Sequence, residues 1–373
     1  MDIASAKVKS FVRSSERELG DFVWAPSGGG FFTTYQANSG PPPQHLQIGF
    51  LSYPGGEFRS VTRDTNAYQT LTLSADGKTL AAVQQKATQT LYLLTAEGFT
   101  KEVPAPPAAQ SKDSYFFGWA SDDEVYFDGN LERASLNGSE RVTLFNDSNG
   151  PIFRPIGCPV GRYIVFVRTD HARGKKTNLW RIDANGENLK QLTQGQGDVG
   201  PNCSPDGHWV YYSDVVNAQA MRVPVEGGVP EGVPGTATPP LLLGSPGVAL
   251  SRDGKFVAIT ALKSGPVGGA KIALVTLNAG GEPLVSLLDP DPRIMAELRF
   301  TPDGKGLVYV IREKGADNLW FQPLDGLPGR QITNFTADQI QVYDYSPSGK
   351  TLGVMRSHVE SDAVLLRDVT GSR

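Results

Sequence analysis

The 373-residue sequence holds only two cysteines, four histidines and four methionines, which excludes a disulfide-rich scaffold and a dense thiolate or imidazole metal cluster. Basic residues are not in excess either: 35 Lys and Arg stand against 39 Asp and Glu. The broad positive field that nucleic-acid binding needs is missing. No apolar run approaches the roughly 20 residues of a membrane helix, and the first residues lack the apolar core of a signal peptide. A cytoplasmic protein, or a segment of a longer chain, is expected. Neither Gly-x-Ser-x-Gly nor His-Glu-x-x-His occurs, so two common signatures of hydrolases are absent.

What is present in quantity is glycine (42) and proline (27), spread along the whole chain. Many turns imply many short strands. The turns repeat. Ser204-Pro205-Asp206-Gly207 and Thr301-Pro302-Asp303-Gly304 have relatives ending at Gly28, Gly77, Gly161, Gly254 and Gly349, with spacings of 49, 84, 46, 47, 50 and 45 in chain order. The 84-residue gap spans two periods, and Trp119–Phe127 fills it with a copy that has lost its glycine. Each copy reads as four short strands. Strands a and b flank the turn, strand c carries an aromatic (Asn178-Leu179-Trp180, Asn318-Leu319-Trp320), and strand d ends in Gln-Leu-Thr or Gln-Ile-Thr. A four-stranded unit of about 45 residues is the signature of a propeller blade.

The expected fold is an all-β, eight-bladed propeller in a single domain, with blades at about 20–66, 67–112, 113–150, 151–197, 198–244, 245–293, 294–339 and 340–370. The last copy stops after strand c, and residues 6–13 look like an orphan strand d. The N-terminal strand is therefore expected to complete the last blade and remove the open edge. A ring of seven is the alternative if Trp119–Phe145 forms no full blade. Cys158 and Cys203 open equivalent turns, where each reads as a small buried side chain. The tryptophans recur at repeat positions and read as core, and the turn aspartates Asp76, Asp206, Asp253 and Asp303 as groups bonding their own backbone.

The recurrence of Ser-Pro-Asp-Gly, Asn-Leu-Trp and Gln-Leu-Thr resembles the TolB-like, WD-like propeller family. The run from Gln47-Ile48-Gly49-Phe50-Leu51-Ser52-Tyr53-Pro54-Gly55-Gly56-Glu57 through Thr62-Arg63-Asp64 to Leu71-Thr72-Leu73-Ser74-Ala75-Asp76-Gly77 is similar to the C-terminal propeller of bacterial serine/threonine protein kinases. That resemblance implies a non-catalytic signalling sensor on the extracytoplasmic side of a bacterial membrane. It also implies a protein, peptide or small-molecule ligand, and the chain is expected to be a monomer. No Gly-rich loop, His-Arg-Asp or Asp-Phe-Gly is present, so kinase activity would lie outside this sequence.

Topology puts the a–b and c–d turns on one face and the longer b–c and d–a loops on the other, where binding residues are expected. The fourth copy's b–c loop supplies Arg168, Asp170, His171 and Arg173. In a ring of eight the last copy lies across the channel and supplies Arg356 and His358. Aligned on the turn glycine, Asp21, Arg154, Asn202, Glu297, Arg299 and Asp344 occupy strand-a positions that alternate with large apolar residues, and so are candidates to line the channel. Asp21 and Asp344, from neighbouring copies, offer oxygen ligands for calcium. An ion-pair network with Arg154 and Arg299 is the competing reading. The competing function is a propeller-type hydrolase or lyase using these carboxylates and a metal.

Overall fold

The turn glycines do what the motif requires: Gly207 has φ of 71° and Gly304 of 69°, a region that L side chains avoid. In the turn at Ser251, the hydroxyl bonds Asp253 (2.7 Å) and accepts the Phe256 amide (2.9 Å), while Asp253 accepts the Lys255 amide (3.1 Å). The turn aspartates are thus local backbone anchors. Hydroxyl and amide donors hold the carboxyls of Asp76, Asp206, Asp253 and Asp303 below the usual range.

The computed structural model describes residues 17–37, 45–95, 102–104, 110, 114–146, 152–159, 161–170, 176–236, 242–243, 247–262, 269–277 and 283–367. All regular structure among them is β, so no described helix is long and apolar enough to cross a membrane. The chain divides into two compact units: Met1–Thr88 with Val359–Arg373, and Gln89–His358.

The larger unit contains six antiparallel blades. Blade I is Phe117–Trp119, Glu124–Phe127, Glu132–Ser135 and Arg141–Thr143; blade II is Ile152–Gly157, Tyr163–Asp170, Lys176–Asp183 and Lys190–Gln191. Blade III is Asp198–Cys203, Trp209–Asp214, Gln219–Pro224 and Glu231–Gly232. Blade IV is built on Phe256–Leu262, Ala270–Thr276 and Val285–Leu288, with Leu242–Leu243 and Ala249–Leu250 pairing in turn with the first of these. Blade V is Ile294–Phe300, Gly306–Glu313, Ala316–Pro323 and Arg330–Gln331. Blade VI joins Gln339–Tyr345 and the first half of Thr351–Arg367 to the second half of Thr79–Thr95 and to Glu102–Pro104.

Six core clusters fill the six gaps between these blades. Strand alternation supplies both sides: Val165 and Val167 pack with Val210 and Tyr212 of blade III, while Ile164 and Phe166 pack with Tyr126 and Leu131 of blade I. The circuit closes where Val342 and Met355 of blade VI meet Phe117 and Trp119 of blade I. There the Trp119 indole also donates to the Asp344 carbonyl at 3.0 Å. The degenerate third copy is therefore a full blade.

The propeller of four-stranded antiparallel blades is as expected, but its closure is not. Blade VI takes its outer strands from Gln89–Thr95 and Glu102–Pro104; residues 6–13, expected to complete the last blade, lie outside the described residues. The expected ring of eight becomes a ring of six within the larger unit. The physical reason lies in two 17-residue strands, Thr79–Thr95 and Thr351–Arg367, each of which runs through both units.

The smaller unit holds the first copy, Arg17–Trp24, Gly30–Ala37, Gln47–Ser52 and Phe58–Ser60, and Ala67–Leu73 paired with the first half of Thr79–Thr95. Ile48, Tyr68, Leu71, Leu80 and Ala82 form its core, joined by Val364 and Leu366. Trp24 was expected in a core; it is 50% exposed and Phe22 60%, whereas Trp119, at the same repeat position, is 6% exposed.

Candidate functional site

The innermost strands of the ring share an irregularity. Register shifts fall between Phe153 and Ile156, Val199 and Asn202, and Ala296 and Arg299. Seven residues before the turn glycine, four copies have positive φ: Arg154 (50°), Gly200 (64°), Gly247 (130°) and Glu297 (52°). A bulge of this kind re-aims side chains, here toward the axis. Glycine takes this conformation freely, whereas arginine and glutamate do not.

Arg154 and Glu297 come from blades II and V, which stand opposite in a ring of six. Their guanidinium and carboxylate meet in an ion pair, with Glu297 buried. Phe116 stacks under Arg154, 4.5 Å from ring centroid to guanidinium carbon. The Tyr343 hydroxyl holds the Glu297 carbonyl at 2.6 Å. Arg299 lies 3.9 Å from the second Glu297 oxygen and 3.5 Å from Asp344, an ion-pair partner to both. That Glu297 oxygen, Oε2, is buried with no hydrogen-bond partner. Burial pushes the Asp344 carboxyl up, against the pull of Arg299. Asn202 donates to the Val248 carbonyl at 3.1 Å. The structure thus gathers Arg154, Asn202, Glu297, Arg299 and Asp344 around one channel.

Asp21 belongs to the smaller unit, where its carboxylate accepts the Leu71 amide at 2.8 Å; within the larger unit the charged neighbour of Asp344 is Arg299. Arginine at that position disfavours a divalent cation beside Asp344. No described cluster of three or more His, Cys, Asp or Glu residues is arranged to hold a metal.

Above the ion-pair floor, on the a–b turn face, a pocket of about 620 Å³ opens between all six blades. Its walls include Trp119, Pro159, Leu250, Phe300 and Tyr345, and Asn202, Arg299 and Asp344 reach it from below. Arg252 of blade IV ties its rim by donating to the Pro347 and Ser346 carbonyls of blade VI, at 2.8 and 2.7 Å. This pocket lies on the face opposite the loops singled out from the sequence. The signal for it was the pair Gly200 and Gly247 at one aligned position, which marks the bulge.

The loop candidates are placed as follows. Arg168 covers the Trp180 ring at 4.7 Å and, with Asp170, Lys176 and Gln194, borders a polar cleft of about 280 Å³. His171 and Arg173 lie outside the described residues. Arg356 donates to the Asp338 carboxylate at 3.2 Å and to the Ala337 carbonyl at 3.0 Å, and His358 contacts Asp338 at 2.7 Å. With six blades, blade VI does not lie across from blade II, so the expected facing of these two loops is lost. Cys158 and Cys203 also depart from expectation: they form a disulfide between blades II and III, with Cα atoms 5.3 Å apart.

The ring's geometry has known counterparts. A TolB structure from Agrobacterium tumefaciens superimposes with a TM-score of 0.52 at 16% identity, covering 73% of this chain and 99% of that one. The fold is a TolB-like propeller. TolB from Acinetobacter baumannii matches with a TM-score of 0.47 at 13% identity, over 93% of this chain and 81% of that one. No family model matches the sequence, and no curated protein gives a significant sequence match.

Proposed function

We propose that this TolB-like propeller is a non-catalytic binding module that takes a protein, peptide or small-molecule ligand into the channel mouth on the a–b turn face. One observation carries the reading: the pocket of about 620 Å³ is walled by every blade of the ring and floored by polar groups. A concave site onto which a few polar groups converge is where ligands are usually held, and this pocket presents polar groups (Asn202, Arg299, Asp344) beside apolar ones (Trp119, Leu250, Phe300). The pairing of Glu297 with Arg154 and of Asp344 with Arg299 favours binding over a metal-assisted hydrolase or lyase.

The setting we propose is the extracytoplasmic, ligand-sensing part of a receptor-type bacterial serine/threonine kinase. Two things support it: the resemblance of residues 47–80, and the disulfide, since disulfides persist in oxidising compartments. Reading the coding sequence upstream tests this directly, with a kinase domain and an apolar helix as the expected result.

A thermal-shift screen of the full chain against short peptides and small polar molecules tests the site. Stabilising hits are expected to lose their effect in Pro205→Trp, which fills the pocket from an exposed turn, and to keep it in Arg168→Ala. Hits that depend on Arg168 and ignore Pro205→Trp would move the site to the b–c loops.

A further inference from the structure

The seam between blades II and III carries a concentration of charge apart from the central pocket. Tyr163 opens strand b of blade II, Arg181 lies near the end of its strand c, and Lys190 starts its strand d. These strand ends converge on Glu226, two residues past Gln219–Pro224 of blade III. One carboxylate oxygen of Glu226 accepts the Tyr163 hydroxyl at 2.6 Å, and the other accepts the Arg181 guanidinium at 2.8 Å. Arg162 stands 3.8 Å from the first oxygen, and the Lys190 ammonium donates to the Glu226 carbonyl. The Tyr163 hydroxyl and these cations hold the Glu226 carboxyl below its usual range, so it is ionised. None of these five residues lines the central pocket.

The two sides of the cluster differ in burial. The Arg181 side chain is 9% exposed and Tyr163 5%. The guanidinium carbons of Arg162 and Arg181 lie over the Tyr163 ring, 4.8 and 4.0 Å from its centroid, which fixes the receiving groups. The Glu226 side chain, by contrast, is 58% exposed and reaches in from solvent. It is followed by Gly227, with φ of 85°, and Gly228, the residue type with the widest backbone freedom.

The receiving side is also short of acceptors. Asp183 stands 3.6 Å from Arg181, and its other oxygen is taken by Asn188 at 2.8 Å. The Nε of Arg181 is buried with no hydrogen-bond partner. A buried guanidinium needs an anion beside it. That anion need not come from this chain.

We propose that Tyr163 and Arg181 form a binding site for a ligand carboxylate, and that Glu226 is its resident competitor, which turns outward at Gly227–Gly228 when an outside carboxylate takes its place. An arginine fork beside a hydroxyl donor matches the two oxygens of a carboxylate. Self-occupancy lowers the apparent affinity of the wild type by the fraction of the time that the site is vacant.

The test follows the Arg181 Nε–H resonance in the full chain made with isotope-labelled arginine, identified by its loss in Arg181→Lys. Acetate, titrated against chloride at constant ionic strength, is expected to shift this resonance saturably in Glu226→Ala. The wild type should need about tenfold more acetate for the same effect. Glu226→Gln fills the same space without the charge, keeps the test open if the alanine variant folds poorly, and should fall between the two. Absence of a saturable shift in both variants overturns the site. Equal affinities in all three proteins, or a wild type that stays silent at a hundredfold excess over what saturates Glu226→Ala, overturns the competitor role of Glu226. Inorganic phosphate binding more tightly than acetate overturns carboxylate as the ligand class.

Discussion

Arg154 and Glu297 are the two charged residues that occupy the left-handed bulge position in the ring, and they form an ion pair with each other across the channel. In blades III and IV the same position is glycine, Gly200 and Gly247. Two blades thus accept backbone strain on the order of 1 kcal/mol or more per residue, and the side chains held by that strain close the channel floor.

Removing one partner should cost more than removing both. Arg154→Ala leaves the buried Glu297 carboxylate without its main counter-charge, an effect of about 3 kcal/mol when a buried pair is broken. Arg154→Ala/Glu297→Ala removes the orphaned charge as well and should recover part of that loss. Arg154→Gly should be less damaging than Arg154→Ala, by about 1 kcal/mol, because glycine relieves the positive φ. Urea unfolding of the wild type, these three variants and Glu297→Ala checks this ordering, and losses in the two alanine singles that add up to the loss in the double would show that the pair is uncoupled.

Asp128 should make the fold less stable as pH rises. It is 4% exposed, its carboxyl accepts the Phe116 amide at 3.1 Å, and burial pushes it to about 7 from an ordinary 3.8. Between those two values the folded chain binds a proton that the unfolded chain has released. Stability therefore falls through the window from about pH 4 to pH 7, by up to about 4 kcal/mol. Asp128→Asn keeps an oxygen acceptor and cannot ionise. Its melting temperature should change less between pH 5 and pH 8 than that of the wild type, and equal changes would remove Asp128 as the cause.

The blade was legible because its signals are local. Gly207 needs positive φ, Val165 and Phe166 must face opposite gaps, and the alternation of Arg299 with Leu298 and Phe300 put the charge on the axis side. The closure was not legible, because nothing in Gln84–Gln89 distinguishes a loop from a continuous strand, and that choice rests on which distant strand is available. The same holds for the disulfide. Cys158 and Cys203 share a repeat position, but only the ring geometry brings adjacent a–b turns within bonding distance. The Arg154–Glu297 pair required knowing that blades II and V are opposite, which follows from six blades and not from eight.

The disulfide should be detectable and stabilising. Non-reducing mass spectrometry is expected to give a mass 2 Da below the fully reduced chain, one bond's worth of hydrogen. Cys158→Ser/Cys203→Ser opens a loop of sequence separation 45, and loops of that size are usually worth about 2–4 kcal/mol when closed. A chain purified under oxidising conditions that still carries two free thiols would count against both the bond and the oxidising setting.

Arg252 offers a probe of the pocket rim that leaves the ring's core untouched. Its guanidinium is the one described side chain of blade IV that donates to blade VI, through the Pro347 and Ser346 carbonyls, and it does so past the turn of blade V. Arg252→Ala removes both bonds and exposes two carbonyls that water can then satisfy, so the loss of stability should stay near 1 kcal/mol. Arg252→Lys keeps the charge but lacks the planar fork and should restore less than half of the loss. If the rim shapes ligand entry, any peptide or small molecule that binds in the thermal-shift screen should dissociate faster from Arg252→Ala, with its association rate changed less. Equal dissociation rates in wild type and variant would show that the rim is structural and that the ligand enters elsewhere.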